Sequence, residues 1–256
     1  EVKRVLRDDG TCWVNIGDTY GGAPVSGKQG GFQGKYTRDN PSISNVKKPK
    51  IMPKSLIMIP FRFAIEMVNR GWILRNTLIW HKPNCMPSSV KDRFTVDFEY
   101  IFLFSKKQKY YFEQQTEPSE YEEREKRATY GWNGNQVEGI GRNQPQSIET
   151  MGDRWCPSQR NKRAVWKINP KGFKEAHFAV YPEKLCETPI KAGCPKGGIV
   201  IDPFFGSGTT GVVALKQSKK FIGIELNPEY IEIANKRLKP YVEQRKIYET
   251  VWGDEI

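Results

Sequence analysis

A chain of 256 residues with 41 Lys and Arg against 29 Asp and Glu has a formal charge of +12 and a pI near 9.4. That length allows one sizeable core, alone or with an insertion, and the basic excess points to a polyanionic partner, because neutralised phosphates release counterions. Five scattered cysteines without a C-x-x-C pair, and only two histidines (His81 and His177), argue against a disulfide framework and a zinc site; with no bilayer-length apolar run and no signal-peptide pattern, a soluble chain of the cytoplasm, associated with the nucleoid, is expected.

Residues 1 to 6 carry apolar Val2, Val5 and Leu6 and read as the tail of a helix that Asp8-Asp9-Gly10 terminates. A strand follows over 11 to 16 and runs into Gly17-Asp18-Thr19-Tyr20. Residues 21 to 50 are rich in Gly, Ser, Lys and Gln without an apolar period, and read as a mobile loop. A loop of that length inside a compact domain is usually functional or disordered.

From 53 to 70, Leu56, Ile57, Ile59, Phe63, Ala64, Met67 and Val68 follow a helical period that Gly71 closes. Strands are predicted over 72 to 80 and 100 to 104, and alternation sends Trp80, Phe102 and Phe104 to the core. Between them, Lys82, Lys91 and Arg93 are placed to meet phosphates, and Asn84 and Ser88 to hydrogen-bond a base or backbone. Pro83 and Pro87 would keep that loop extended.

Residues 113 to 163 change character: they are polar, and their apolar members are mostly isolated aromatics (Tyr121, Tyr130, Trp132, Trp155). This suits an inserted surface module. Its Arg124, Lys126, Arg127, Arg142 and Arg160, with Asn133, Asn135, Gln136, Asn143 and Gln144, are side-chain types that pair with base edges. Segments 165 to 168 and 177 to 180 resume the main fold. A buried parallel strand over 199 to 201, a turn of Gly206, Ser207 and Gly208, a helix over 209 to 217 and a buried strand over 221 to 226 then make a βαβ crossover. Such units place a ligand outside the carboxyl ends of their strands. Glycines let the backbone approach that ligand, and Glu225 at the second strand can accept both ribose hydroxyls, so a nucleoside-containing ligand is indicated. A last helix, 228 to 238, and a basic tail complete the chain.

The string Asp202-Pro-Phe-x-Gly-Ser-Gly-Thr-Thr210, followed by Gly223-Ile-Glu-Leu-Asn-Pro-x-Tyr230, resembles the S-adenosylmethionine motif of the DNA amino-methyltransferases. These enzymes modify N6 of adenine or N4 of cytosine. The pattern Trp80-x-Lys-x-Asn-x-x-Pro-x-Ser-x-x-x-Arg93, with Glu99 six residues on, resembles the same family at the strand pair lining its target base. His177-Phe-Ala-Val-Tyr-Pro-x-x-Leu185 is similar to its motif beside the methionine end of the cofactor. The order of these motifs resembles the beta-type permutation, with 113 to 163 where the target-recognition insert belongs.

The resemblance implies an α/β, Rossmann-like fold with a mostly parallel sheet flanked by helices. It divides the chain into a catalytic-side part (1 to 112), the insert (113 to 163) and a cofactor-binding part (164 to 256). Cofactor contacts are implied for Ala179, Pro182, Asp202, Phe204, Gly206, Ser207, Gly208, Thr209, Thr210, Glu225, Leu226 and Asn227, with His177 in a positioning role. DNA contacts are expected for Lys82, Asn84, Ser88 and Arg93, of which Lys82, Asn84 and Arg93 are positions of that pattern and Ser88 adjoins its serine, Ser89. Duplex DNA is the implied substrate, its target base flipped out of the stack; a cognate restriction endonuclease and a monomer or homodimer are compatible with it.

The family's catalytic Ser/Asp-Pro-Pro-aromatic tetrapeptide does not occur in these 256 residues. The sequence is therefore expected to be N-terminally incomplete, and no catalytic residue is assigned. Asn227-Pro-Glu-Tyr230 imitates that tetrapeptide but reads as an N-cap with Pro at the first helical position. Similarity around Trp13-Val-Asn-Ile-Gly-Asp-Thr-Tyr20 favours cytosine N4 over adenine N6. A cofactor- or DNA-binding subunit without catalysis and an RNA methyltransferase stay open as alternatives.

Overall fold

A computed structural model describes residues 1–21, 52–118, 159–170 and 181–252, in two compact units, Glu1–Tyr110 and Tyr111–Ile256. The stretch 21 to 50 beyond Gly21, most of 113 to 163, and the segment holding His177 and Ala179 lie outside the described residues.

The first unit contains α1 (Val2–Val5), β1 (Thr11–Ile16), α2 (Ile59–Asn69), β2 (Ile73–His81) and β3 (Phe98–Ser105). Strand β3 pairs antiparallel with β1 on one side, from Thr11 opposite Ser105 to Ile16 opposite Tyr100, and with β2 on the other. Flanked on both edges, β3 buries Phe102 and Phe104, the latter completely. These rings pack with Ala64 and Trp72, and Val14, Phe63, Met67 and Tyr100 close around them. Burying each such ring is worth roughly 1.5–3 kcal/mol. Trp80 is buried as well, so the core expected from alternation is present.

Helix α2 begins later than the apolar period suggests. Lys54 and Met58 have left-handed backbones (φ 67° and 63°), which breaks any helix across 53 to 58. Pro60 in the first turn and the carboxylate of Asp18, whose Oδ1 accepts the Ile59 amide at 3.1 Å, fix the true start. That contact also explains why Gly17-Asp18-Thr19 follows β1.

The second unit contains β4 (Thr116–Pro118) paired antiparallel with β5 (Gln159–Asn161), then β6 (Val165–Lys167), α3 (Glu183–Gly193), β7 (Ile199–Asp202), α4 (Thr209–Lys216), β8 (Lys220–Gly223) and α5 (Pro228–Trp252). The predicted crossover is present: β7 and β8 are parallel, with Ile199 opposite Lys220 and Asp202 opposite Gly223. The pairs β1–β3, β2–β3 and β4–β5 are antiparallel and β7–β8 is parallel, so strand pairing among the described residues is mixed where a mostly parallel sheet was expected.

These two strands are half covered rather than buried. Val200 and Phe221 pack on Ile190, Val213 and Ala214 of the helices, while Ile199 is 60% and Ile222 50% exposed. Alternation along the strands sets that difference. Helix α5 does not stop at Leu238: it continues through Pro240 to Trp252. Leu238 and Tyr241 both join the cluster around Phe205 and Val212, so packing carries the helix past a residue that removes one backbone hydrogen bond.

Candidate functional site

The carboxyl ends of β7 and β8 and the two loops leaving them build the site, all within the second unit. The loops are tied together by backbone. Asp202 carbonyl accepts the Ile224 amide at 2.9 Å, and Ile224 carbonyl accepts the Phe205 amide at 3.0 Å. The Gly-rich turn then curls back with Gly206 at φ 52° and Gly208 at φ 81°, conformations costly for any side-chain-bearing residue. At Gly208 a Cβ would also stand 3.0 Å from that of Ala234 on α5.

Two acids hold this turn. Asp202 Oδ1 accepts the Phe204 amide at 2.9 Å, and its Oδ2 accepts the Thr210 hydroxyl at 2.6 Å. The Tyr181 hydroxyl lies 2.6 Å from Thr210 Oγ1 and 3.3 Å from the same carboxylate oxygen. Glu225 Oε2 accepts the Gly206 amide at 2.8 Å across the two loops, while Oε1 accepts the Leu226 and Asn227 amides, each at 2.9 Å. A carboxylate offers about four acceptor positions, so backbone amides fill most of those on Glu225.

The opposite side of the turn is held by a base. Arg237 of α5 donates through one terminal nitrogen to the Ser207 carbonyl (2.7 Å), Ser207 Oγ (2.9 Å) and Thr209 Oγ1 (3.1 Å). Ser207 and Thr209 are both buried. Phe204 and Leu226, by contrast, are 87% and 95% exposed. They offer apolar surface on the two adjoining loops, and at Gly206 an added Cβ would meet only the Phe204 carbonyl, at 4.0 Å. Open space over a glycine, two exposed apolar side chains and a strand-end carboxylate fit a nucleoside-containing, largely apolar ligand.

Tyr181 and Cys186 back the Asp202 carboxylate. Burial pushes the Tyr181 hydroxyl well above its ordinary range, and pushes the Cys186 thiol up to about 12. Both therefore stay protonated at neutral pH, and the carboxylate faces donors instead of a competing anion. The folded protein should accordingly react slowly with a thiol reagent at Cys186 at pH 8 and rapidly once unfolded, as mass spectrometry of the modified peptide would show. A raised folded pKa also means that the unfolded state loses this proton first. Stability should fall as pH rises from the thiol's ordinary value of 9.0 toward about 12.

Pro182 is buried at the start of α3. Asn227 caps α5, its Oδ1 accepting the Glu229 amide at 2.9 Å, so its side chain is committed to the helix start. Neither Tyr181 nor Arg237 is singled out by the sequence. Tyr181 stands inside the His177 to Leu185 motif. Arg237 lies between Ala234 and Leu238, whose i, i+4 spacing marks the packed face of α5.

In the first unit, the loop leaving β2 carries the expected DNA-facing residues. The Lys82 ammonium is paired with Glu99 and sits 4.3 Å from the centre of the Trp80 ring. The Arg93 guanidinium lies over Tyr20, 4.1 Å from the ring centre. Ser88 Oγ accepts the Val90 amide at 3.4 Å, and Asn84 is exposed beside the turn that the Cys85 amide closes onto the Lys82 carbonyl. Asn84 is thus open to a partner, while Lys82 and Arg93 are already engaged. Among the described residues no helix is long and apolar enough to cross a membrane, and no cluster of metal-binding side chains occurs.

Comparison with known proteins shows the family and the fold of the chain. The chain is 40% identical over 243 residues to the type II methyltransferase M.Cfr9I of Citrobacter freundii, covering 93% of this chain and 68% of that protein. It is 40% identical over 240 residues to the type II methyltransferase M.SmaI of Serratia marcescens, covering 93% and 70%. In fold it is similar to the PvuII DNA methyltransferase, described as cytosine-N4-specific, with a TM-score of 0.58 at 19% identity over 94% of this chain and 71% of that one. A DNA modification methylase of Thermus thermophilus solved with S-adenosyl-L-methionine gives 0.53 at 20% identity over 94% and 73%. These two likenesses establish the α/β methyltransferase fold. Residues 1–236 match the model of the N6/N4 DNA methylase family, and the chain belongs to that family of DNA amino-methyltransferases.

Proposed function

We propose that the turn from Asp202 to Thr210 and the carboxylate of Glu225 bind S-adenosylmethionine, and that the chain serves transfer of its methyl group to an exocyclic amino group of a flipped base in duplex DNA. One observation carries the reading: the strand-end acid is tied through Gly206 to an open, glycine-lined turn between two exposed apolar side chains. Glu225 would take the ribose hydroxyls, while Phe204 and Leu226 would cover the adenosine. The bound sulfonium supplies an activated methyl group. The residues of the turn bind and orient it, and keep the carboxylates fixed around it.

Cytosine N4 is the favoured target, on the similarity of Trp13 to Tyr20 to family members of that type. Digesting DNA from cells expressing the gene and separating the nucleosides by mass spectrometry should show N4-methylcytosine. N6-methyladenine instead would move the assignment to adenine. A second reading rests on the absence of a Pro-Pro tetrapeptide from these 256 residues: a chain that binds cofactor and DNA but transfers nothing by itself. Retained S-adenosylmethionine binding without methylated product would favour it.

DNA binding should depend steeply on salt. A charge of +12 allows several phosphate contacts, each adding about 0.9 to the slope of log K against log salt concentration. A slope near zero, measured by fluorescence anisotropy on duplex DNA, would argue against a duplex substrate. We assign sequence choice to residues 113 to 163, and pairing with a restriction endonuclease is compatible with the type II relatives.

A further inference from the structure

We infer that Arg237 is a positioning residue for cofactor binding, which pre-forms the Gly-rich turn from behind; this rests on the turn being the cofactor site. Three acceptors from two residues of the turn converge on one guanidinium nitrogen, at 2.7, 2.9 and 3.1 Å. Two of them, Ser207 Oγ and Thr209 Oγ1, belong to buried residues, so these hydroxyls serve the turn's rear attachment and not its ligand face.

The need for such an attachment follows from Glu225. Its carboxylate holds the front of the turn through the Gly206 amide and also accepts the Leu226 and Asn227 amides. A ribose with two hydroxyls needs two acceptor positions where about one is left. The Gly206 contact is the one that crosses between loops, and it must yield or be shared when ribose arrives. Something else must then keep two residues of left-handed backbone, Gly206 and Gly208, in place. Arg237 does so from α5, whose Ala234 and Leu238 are held in the cluster with Phe205 and Val212 and not through Glu225. Its hydrogen bonds are charge-assisted and therefore strong. Acting through the turn's geometry, it serves charged and uncharged forms of the cofactor alike.

The test is calorimetric titration of the 256-residue protein and its variants with S-adenosylmethionine and with S-adenosylhomocysteine, which lacks the sulfonium charge. Arg237→Ala should weaken both by about tenfold and by the same factor. Arg237→Lys, which restores a single charged donor, should recover part of the loss. Ser207→Ala, which removes one acceptor and leaves the arginine, should cost about two- to threefold; it also serves if Arg237→Ala does not fold. A folded Arg237→Ala protein with unchanged affinity overturns the inference. So does a change in the ratio of the two affinities beyond about threefold, which would make Arg237 a charge acting on the sulfonium. Gly206→Val is the control for the site itself: if it binds cofactor normally, the turn is not the binding loop, and the failure lies there and not with Arg237.

Discussion

Glu225→Ala should weaken S-adenosylmethionine by about ten- to a hundredfold, equivalent to about 1.5–3 kcal/mol for charged hydrogen bonds to the ribose. The structure adds a reason for the upper end of that range. Removing the carboxylate also strands the Gly206, Leu226 and Asn227 amides, which otherwise donate to it at 2.8–2.9 Å. Part of the loss would then come from a loosened turn and part from the missing ribose contact. Glu225→Gln separates them poorly, because its amide NH₂ would confront backbone N–H groups. A 2′-deoxy analogue of the cofactor separates them well. The wild-type protein should bind the analogue more weakly than the natural cofactor, and the Glu225→Ala protein should hardly distinguish the two. If calorimetry finds the same discrimination in both proteins, Glu225 holds the turn but not the ribose.

Why the carboxylate is legible from sequence, and Arg237 is not, is a matter of how each reaches the site. Asp202, the glycines and Glu225 belong to one βαβ unit, in which strand length and helix length fix the separation between turn and acid. A contiguous string therefore carries the geometry. Tyr181 and Arg237 arrive from outside that unit. Arg237 is brought to Ser207 only because α5 packs Ala234 and Leu238 against Phe205, a tertiary event with a helical period as its sole trace. The same limit applies to element ends. Pro240 reads as a breaker, yet Tyr241 is packed beyond it and the helix continues. Residues 53 to 58 read as helix because Leu56 and Ile57 extend the apolar period of the residues after them, yet the left-handed Met58 and the cap from Asp18, 41 residues earlier in sequence, start α2 at Ile59. At Ile199 and Ile222 the apolar run overstates burial, because it does not say whether one face of a strand or both will be covered.

Phe205 holds the turn to the core beneath it, and Gly223→Ala should expose that link. The Phe205 ring is wedged under β8, stacked on Phe221 with centroids 5.5 Å apart. A Cβ at Gly223 would stand 2.4 Å from Phe205 Cγ and 2.5 and 2.6 Å from the two neighbouring ring carbons. No rotation of an exposed side-chain end relieves that clash, because the ring is buried between β8 and α4. Overpacking of this kind costs typically about 1–3 kcal/mol. Phe205 also lies directly between Phe204 and Gly206, so a displaced ring moves the turn as well as the core. Gly223→Ala should therefore lower the urea midpoint and weaken S-adenosylmethionine together. Phe205→Ala, which removes the Cγ and both Cδ atoms where the new methyl would go, should be destabilising alone but should absorb much of the damage in the double variant. Residues in such direct contact couple by about 0.5–3 kcal/mol in a double-mutant cycle. Strict additivity of the two substitutions in urea unfolding would mean that the ring relaxes away from Gly223, and that this glycine is required for neither the core nor the turn.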